Sequence, residues 1–476
     1  MTWSLVVMDE GITNALQLRL GKQSVFEHDY LYGKVDTDDG TGETHADRVL
    51  RAALDVSAAY DVIDLKVGNP VTGMFSDAAI ERALDQVLVD QTHKIAAINM
   101  SFGGGGYPFA FADEISQLAS RGILSVVAAG NSGTAAFLES PSYPAALPDV
   151  IAVGSHDGHG NPSRFSQNGL DVDLLADGEN VPQSGSNGTS FAAPQVAVTV
   201  THIQAIVQGL TGGLLGVTAM VDALQQGGAG PRSQPDPADG HTRYFLHDHQ
   251  GSLDYAWSHY GGTPTRALEY IASYGDLIGA LGANATAGRL HFESHGSIEQ
   301  RPITFDGLAY IASYGDLGSA FGVNALAGSR HFIVAGSREG RTVSFDGLDY
   351  VASYDDLVRA LGLREDAGSI HYIVAGRGEG RSVTFDGLQY IASYGDLIDA
   401  LGADEHAGAK HYIAHGSAES RPRDQFDAAQ YLANYADLRA AFGTDEEAAT
   451  RHFITTGYHE ERVDDAPHLS AADFLL

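Results

Sequence analysis

Residues 187–194 read Asn-Gly-Thr-Ser-Phe-Ala-Ala-Pro, and an apolar helical pattern follows them. A serine at the start of a helix exposes its hydroxyl and its own backbone N–H, and the helix dipole favours negative charge that develops there. Gly188 permits a close backbone approach. The stretch therefore predicts Ser190 as a nucleophile. The plainer alternative is that Thr189 or Ser190 only caps the helix.

Two polar residues upstream suit a nucleophile that needs a base. Residues 5–8 are apolar and predict a strand that ends at Asp9, and the active sites of open α/β sheets lie at the carboxyl ends of strands. His45 opens a helical pattern. Taken singly, a strand-end Asp is usually part of a plain turn, and a helix-start His is usually a surface residue. His28 is a competitor, which we expect in an irregular polar stretch.

Two apolar runs between these segments end in small and polar residues. Residues 96–103 read Ala-Ala-Ile-Asn-Met-Ser-Phe-Gly, and residues 125–133 read Ser-Val-Val-Ala-Ala-Gly-Asn-Ser-Gly. A side-chain amide at the end of a strand can donate to a developing oxyanion, which makes Asn131 a candidate for that role.

Short apolar runs alternate with helical patterns over the first 230 residues. The runs are apolar on both faces, as in strands covered by helices, so the pattern predicts an α/β domain with a mostly parallel sheet. The predicted strands are 4–8, 62–67, 95–100, 124–129, 150–153 and 172–175, and the predicted helices are 46–60, 76–90 and 110–121.

The chain repeats itself from residue 265 onward, five times with a period of forty residues and one insertion before the last copy. The copies are headed by Tyr270, Tyr310, Tyr350, Tyr390 and Tyr431. We predict an all-α array of two or three short helices per copy, with a capping box at Ser273 and Asp276 and helix C-caps at Gly282 and Gly296. The recurring Tyr, His and Arg residues are interpreted as structural, with a repeated ligand site as the alternative.

The predicted organisation has four parts. They are an α/β domain at 1–226, a Gly/Pro-rich linker at 227–264, the repeats at 265–465 and a tail at 466–476. One histidine per repeat makes a poor metal site, and no carboxylate cluster has a recognisable ligand spacing, so no metal site is predicted.

Composition excludes several functions. The formal net charge of −33 argues against nucleic-acid binding. The absence of cysteine excludes disulfides and thiolate metal sites. No apolar run approaches the length of a membrane span, and the longest, at 122–130, is predicted to be a buried strand.

Together these segments resemble the subtilisin-like serine proteases, or subtilases, over residues 1–223. The landmarks are the Asp9 strand, the His45 helix, Ile98-Asn-Met-Ser, Ala128-Ala-Gly-Asn131, Tyr143-Pro144, the 150–154 strand, Phe165-Ser166 and Gly188-Thr-Ser-Phe-Ala-Ala-Pro194. The order Asp, His, Ser along the chain is also that of the family.

The resemblance implies a role for each matching residue. Ser190 would attack the scissile carbonyl, His45 would carry the proton and Asp9 would orient the imidazole. Asn131 and the Ser190 N–H would form the oxyanion hole. The substrate backbone would pair with Ser101, Phe102 and Gly103. Ala128, Ala129, Gly130 and Ser142 would line a pocket for a neutral side chain before the cut.

The implied activity is that of a serine endopeptidase acting on polypeptides, with no cofactor required for catalysis and the need for calcium left open. The rival is an inactive subtilase-fold binding or adhesion protein. A third possibility is processing of its own chain near 227–264. The repeats would tether the enzyme to a surface, a glycan or a protein.

Three residues depart from the family pattern. Glu10 replaces the usual small residue after Asp9, and Ala46 and Asp47 replace the usual Gly-Thr after His45. The additional carboxylates are expected to raise the pKa of His45 and move activity to higher pH.

The chain ends in Asp473-Phe-Leu-Leu476, which resembles the uncleaved C-terminal signal of type I secretion substrates. Residues 1–12 have no signal-peptide pattern, and we expect either that the chain folds without an inhibitory pro-segment or that its start is truncated. We therefore expect a secreted protein, with a cytoplasmic one as the alternative.

Overall fold

The computed structural model describes residues 2–20, 24–33, 42–104, 111–133, 140–167, 169, 171–182, 184–234 and 242–464. By its internal contacts the chain divides into two units. Unit 1 comprises Met1–Tyr270 and Asn284–Ile303, and unit 2 comprises Ile271–Ala283 and Thr304–Leu476. The α/β fold belongs to unit 1, together with most of the first repeat, whose residues 271–283 belong to unit 2 with the other four repeats.

Each predicted strand and helix has a counterpart among the elements that precede the repeats. In chain order they are β1 Trp3–Asp9, α1 Asn14–Leu20, β2 Ser24–Asp29, α2 His45–Val56, β3 Asp61–Lys66, β4 Gly68–Asn69, β5 Met74–Phe75, α3 Asp77–Val89, β6 Lys94–Met100, α4 Ala112–Ser120, β7 Leu124–Ala128, β8 Val150–His156, β9 Leu174–Asp177, α5 Thr189–Thr211, α6 Val217–Gly227, β10 Pro231–Gln234, β11 Thr242–Phe245 and α7 His249–His259.

Seven strands of unit 1 form one sheet in the order β2-β3-β1-β6-β7-β8-β9. All neighbours in it are parallel, and Asp9 at the end of β1 pairs with Lys66 at the end of β3. Every residue of β1 is buried. The predicted parallel α/β fold is confirmed, and because the strands run in one direction, their carboxyl ends share one edge of the sheet.

Helix α5 is the interior helix of unit 1. It is long and apolar enough, by length and composition, to cross a membrane, but its apolar window is entirely buried within the protein. It packs against α2, α7 and strands β6 to β9. Burial of this helix fixes the position of its first turn, which carries Ser190.

Three parts of unit 1 differ from the sequence expectation. His28 lies in β2, a strand at the edge of the sheet, and not in an irregular stretch. Because the neighbouring residues Glu27 and Asp29 are charged, the segment lacks the alternation of apolar and polar residues that predicts a strand. Helix α1 was not predicted. The interval 227–264, for which we expected a linker, contains the β10–β11 hairpin and α7, whose Trp257 is buried.

The repeats consist of α-helices of six to nine residues, with one π-helix closing each copy. In chain order they are α8 Pro264–Ala272, α9 Gly275–Leu281, α10 Ala285–His291, π1 Phe292–Gly296, α11 Gly307–Ser313, α12 Gly315–Phe321, α13 Ala325–His331, π2 Phe332–Gly336, α14 Gly347–Ala352, α15 Asp355–Leu361, α16 Glu365–His371, π3 Tyr372–Gly376, α17 Gly387–Ala392, α18 Gly395–Leu401, α19 Glu405–His411, π4 Tyr412–Gly416, α20 Ala428–Asn434, α21 Ala436–Phe442, α22 Glu446–His452 and π5 Phe453–Gly457. The predicted all-α array is confirmed.

A tyrosine, a histidine and a glycine meet in every repeat. In the third repeat the buried Tyr350 hydroxyl lies 3.0 Å from His371 Nδ1 and packs against Gly376, where a Cβ would collide with it. The same contacts recur in the other four copies, at Tyr270, Tyr310, Tyr390 and Tyr431. These residues therefore hold each repeat together, which agrees with their interpretation as structural residues.

Two local details of the repeats differ from the prediction. Tyr274, and not Ser273, is the N-cap of α9, and Ser273 Oγ accepts the N–H groups of Thr304 and Phe305. Gly282 is the expected C-cap, with φ 54°, but Gly296 ends a π-helix against the Tyr270 hydroxyl. Local sequence does not reveal such longer-range partners.

Candidate active site

An aspartate–histidine pair lies at the carboxyl edge of the sheet. Asp9 is the last residue of β1 and is fully buried, and His45 is the first residue of α2. His45 Nδ1 lies 3.0 Å from Asp9 Oδ1 and 3.1 Å from Oδ2. A carboxylate beside Nδ1 holds the proton on that nitrogen, which leaves Nε2 as the basic atom of the neutral ring.

The start of α2 is fixed by a capping box. Thr44 is the N-cap and accepts the Asp47 N–H, while Asp47 accepts the Thr44 N–H. Asp47 also accepts the backbone N–H and the hydroxyl of Thr13, at 2.8 and 2.9 Å. Asp47, which the sequence analysis marked as a departure from the family pattern, thus ties the helix that carries His45 to the loop after β1.

Ser190 lies in the first turn of α5 and faces the end of β6. Its hydroxyl donates to the Ser101 carbonyl oxygen at 3.1 Å, and the Ser101 hydroxyl donates to the Ser190 carbonyl oxygen at 2.8 Å. The His45 ring lies 5.5 Å, centroid to centroid, from the ring of Phe191. In this conformer the hydroxyl proton of Ser190 points at Ser101 and not at the imidazole.

Thr189 orients the side chain of Asn131. Asn131 Oδ1 accepts the Thr189 N–H at 2.9 Å and the Thr189 hydroxyl at 3.0 Å. The hydroxyl in turn accepts the Gly130 N–H at 3.2 Å. Because a backbone N–H can only donate, the amide oxygen must face Thr189, and the Nδ2 donor occupies the other edge of the amide.

Gly188 lies beside this donor with a backbone conformation that favours glycine. Its φ of 151° is a conformation that side chains rarely adopt, and a Cβ there would lie 3.4 Å from Asn131 Nδ2. Gly188 and Asn131 are predicted from the sequence. The orienting role of Thr189 is not, because nothing in the local pattern distinguishes that residue from a helix cap.

Glu10 brings a second carboxylate to the histidine. Its Oε2 accepts the His45 backbone N–H at 3.0 Å, and burial raises the pKa of Glu10 against the effect of that hydrogen bond. Burial lowers the pKa of His45, but the charge and hydrogen bond of Asp9 and the charge of Glu10 outweigh it, so the pKa is raised. The charge of Arg48 opposes the increase.

The first group of residues expected to bind substrate lies near the Asp9–His45 pair. Ser101, Phe102 and Gly103 follow β6, and Phe102 stacks on Phe75 with ring centroids 4.5 Å apart. A cleft of about 300 Å³ is lined by Glu10, Glu43, Thr44, His45, Arg48, Pro70, Gly73, Phe75 and Ser101. Among the expected residues, Ser101 borders both this cleft and Ser190.

The other expected pocket residues follow β7. Ala128 and Ala129 are buried, and Gly130 has φ 115° and packs against Gln167, where a Cβ would collide. Ser142 donates to Gln167 Oε1 at 3.0 Å. Gln167 is a neighbour that the sequence analysis missed, because only the fold brings it to Gly130 and Ser142.

A parallel α/β sheet with an Asp–His pair and a helix-start serine at its carboxyl edge is typical of serine hydrolases. Comparison with known proteins narrows the class. The subtilase family model matches residues 52–220, which include Asn131 and Ser190 and begin after Asp9 and His45.

Individual relatives agree with the family match. The chain is 31% identical over 207 residues to Subtilisin Savinase of Lederbergia lenta, covering 40% of this chain and 72% of that protein. It is also 31% identical to the Alkaline protease of Shouchella clausii, of which it spans 51%. The chain belongs to the subtilase family of serine proteases.

Solved structures with a similar fold include a cold adapted subtilisin-like serine proteinase and a lanthipeptide protease. The first is 24% identical with a TM-score of 0.42, covering 51% of this chain and 87% of the other. The second is 20% identical with a TM-score of 0.44, covering 53% and 86%.

Proposed function

We propose that the chain is a serine endopeptidase in which Ser190 is the nucleophile, His45 the base and Asp9 the residue that orients the base. The observation that carries the proposal is the Asp9–His45 contact at 3.0 Å, which occupies Nδ1 and leaves Nε2 for a substrate-side partner. The family assignment supports the same reaction class.

Catalysis requires the Ser190 hydroxyl to turn from Ser101 towards His45. A rotation about χ1 would redirect the hydroxyl, and it would break the hydrogen bond of 3.1 Å to the Ser101 carbonyl oxygen. Ser190 Oγ then bonds to the scissile carbonyl carbon while its proton passes to His45 Nε2. The C–N bond breaks, the amine leaves with that proton, and the acyl group stays on Oγ. A water molecule then attacks the acyl carbon in the same way, with His45 as the base, and releases the acid.

The developing oxyanion would receive two hydrogen bonds. One comes from Asn131 Nδ2, whose orientation follows from the Thr189 contacts, and the other comes from the Ser190 backbone N–H at the start of α5. Both donors are held in place before the reaction, so they stabilise charge without reorganisation.

The substrate is proposed to be an extended polypeptide. It would lie along Ser101–Gly103, where the chain leaves β6 beside the cleft at His45. The expected pocket residues Ala128, Ala129, Gly130 and Ser142 carry no ionisable group, and their neighbour Gln167 is also neutral. We therefore infer a preference for a neutral side chain before the cut.

The experiment is cleavage of a peptide library by the full-length chain and by Ser190→Ala, with Ser258→Ala as a matched control. Ser258 is an exposed serine on α7 of the same unit. The proposal expects cleavage by the wild type and Ser258→Ala and none by Ser190→Ala. Cleavage that survives in Ser190→Ala would contradict it, and cleavage by no variant would support a binding protein without activity.

The repeats are proposed to bind or tether the enzyme to a surface, a glycan or a protein. Their recurring Tyr, His and Gly residues are engaged in packing, so we expect the surface positions that vary between copies to determine which partner binds.

We also propose that the protein is secreted, which the net charge of −33 and the absence of cysteine support. The predicted C-terminal export signal lies outside the described residues.

A further inference from the structure

Helix N-termini from adjacent repeats gather carboxylates in unit 2. Asp346 is the N-cap of α14, and its Oδ1 accepts the N–H groups of Leu348 and Asp349 at 2.7 and 2.9 Å. Glu365 is the first residue of α16 in the same repeat. Oδ2 of Asp346 does not share the capping bonds of Oδ1, so it is available to another partner.

A histidine from the next repeat completes the group. His406, on the first turn of α19, has Nδ1 at 3.6 Å from Asp346 Oδ2 and Nε2 at 3.8 Å from Glu365 Oε2. One ligand atom from each of the three residues lies within 4.8 Å of the other two. Helix α14 packs against both α16 and α19, so the group spans the junction between the third and fourth repeats.

A buried carboxyl oxygen that has no hydrogen-bond partner among the described residues lies in the same turn as Asp346. Asp349 is 7% exposed, and among the described residues its Oδ1 has no hydrogen-bond partner. The first turn of α14, which Asp346 caps, therefore contains a second carboxyl group that is buried.

We propose that Asp346, Glu365 and His406 bind a divalent transition-metal ion of the Zn²⁺ type. Imidazole is a ligand for Zn²⁺ and similar ions and not for Ca²⁺ or Mg²⁺, which prefer oxygen. Tetrahedral bonds of about 2.0–2.2 Å place two ligand atoms roughly 3.3–3.6 Å apart. The ligand atoms of the three residues lie within 4.8 Å of one another and the side chains are 36–40% exposed, so side-chain rotation would bring them to that geometry.

The next junction provides a natural comparison within the same chain. Its corresponding residues are Asp386, Glu405 and Glu447, with Gln389 at the position of Asp349. Gln389 donates to the Phe426 carbonyl oxygen at 3.0 Å, so its side-chain amide has a hydrogen-bond partner. These residues line an acidic cleft of about 410 Å³ that contains no histidine. A Zn²⁺ site that depends on imidazole should therefore form at the His406 junction and not at this one.

Calorimetric titration of the metal-stripped full-length chain with Zn²⁺ tests the proposal. We expect one tightest site, weakened at least tenfold in His406→Ala and in Glu365→Gln. Two controls should leave it unchanged: His415→Ala removes an exposed histidine of the same repeat, and Glu447→Gln removes the carboxylate that replaces His406. Circular dichroism of each variant separates a lost site from a lost fold, and Glu365→Gln serves if His406→Ala does not fold.

Two results would overturn the proposal. The first is a tightest Zn²⁺ site that persists in folded His406→Ala and Glu365→Gln. The second is Ca²⁺ binding as tight as that of Zn²⁺ and insensitive to His406→Ala, which would reduce the group to an acidic cluster. As a further expected result, Zn²⁺ raises the melting temperature of the wild type, EDTA reverses the increase, and His406→Ala shows no increase, because the ion joins two repeats.

Discussion

Thr189 donates both its backbone N–H and its hydroxyl to Asn131 Oδ1, at 2.9 and 3.0 Å. The residue before the proposed nucleophile thereby sets the direction of the proposed oxyanion donor. Since both contacts hold the amide oxygen, they determine that Nδ2 is the group presented to substrate.

Replacing Thr189 with valine is expected to lower kcat/KM about tenfold, with most of the effect in kcat. Valine keeps the shape and the N–H but loses the hydroxyl, and one net hydrogen bond of roughly 1.4 kcal/mol corresponds to a factor of ten. Steady-state kinetics check this, with Thr189→Ser as the control that retains the hydroxyl. Equal kcat values in Thr189→Val and the wild type would refute the orienting role.

Replacing Glu10 with glutamine is expected to shift the acid limb of kcat/KM to lower pH. His45 acts as a base only when its imidazole is neutral. Glu10 helps to raise the pKa of His45, so the neutral form predominates only at higher pH. Removing the charge lowers the pKa, while the amide oxygen can still accept the His45 N–H. Glu43→Gln, at the rim of the same cleft, is the control. An unshifted or higher apparent pKa in Glu10→Gln would count against this account.

Three histidines, of which His202 is buried and His247 and His249 are half-buried, are expected to make unit 1 sensitive to acid. Burial lowers the pKa of His202 and His247 to about 3 and of His249 to about 4. Unfolded histidines titrate near 6.5, so between pH 6.5 and about 4 the unfolded chain binds more protons than the folded one. The stability present above pH 6.5 is therefore lost as the pH falls through this window.

Thermal unfolding of wild type and His202→Gln at pH 7 and pH 5 measures this effect. His202 packs edge-on against His249, and its Nε2 has no hydrogen-bond partner among the described residues. The variant is expected to lose less stability than the wild type between the two pH values, whatever its stability at pH 7. An equal loss in both would show that His202 does not contribute.

Placing alanine at Gly376 is expected to destabilise the repeats by about 1–3 kcal/mol, because its Cβ would collide with the Tyr350 hydroxyl. Gly279→Ala is the matched control, since that helical position has open space around it and should be neutral or slightly stabilised. Chemical unfolding followed by circular dichroism measures both. Adding Tyr350→Phe to Gly376→Ala should restore part of the loss, and no restoration would point to a different cause.

The sequence predicts the sheet and the site residues because their signals are local. An apolar run ending in Asp9, a helix start at His45 and the Gly-Thr-Ser turn before α5 each reflect backbone and burial requirements within a few residues. Contacts between residues of distant segments cannot be predicted from such local signals. Thr189 beside Asn131, Gln167 beside Gly130, and Asp346 with His406 become neighbours only after the chain has folded.

Two secondary-structure elements, β2 and α7, are not predicted from the sequence for a related reason. Strand β2 contains Glu27, His28 and Asp29, and α7 follows a Gly/Pro-rich stretch, so neither shows the apolar periodicity on which sequence reasoning depends. Both are held by tertiary contacts, β2 through its pairing with β3 and α7 through its packing on α5 and α6.

Covalent labelling of the full-length chain with a serine-directed fluorophosphonate tests the proposed mechanism most directly, because the probe reacts only with an activated serine. The account predicts that the label maps to Ser190 and that Ser190→Ala and His45→Ala abolish it, while Ser258→Ala labels as fast as the wild type. Labelling of Ser190 at an unchanged rate in His45→Ala, or no labelling of the wild type, would contradict it.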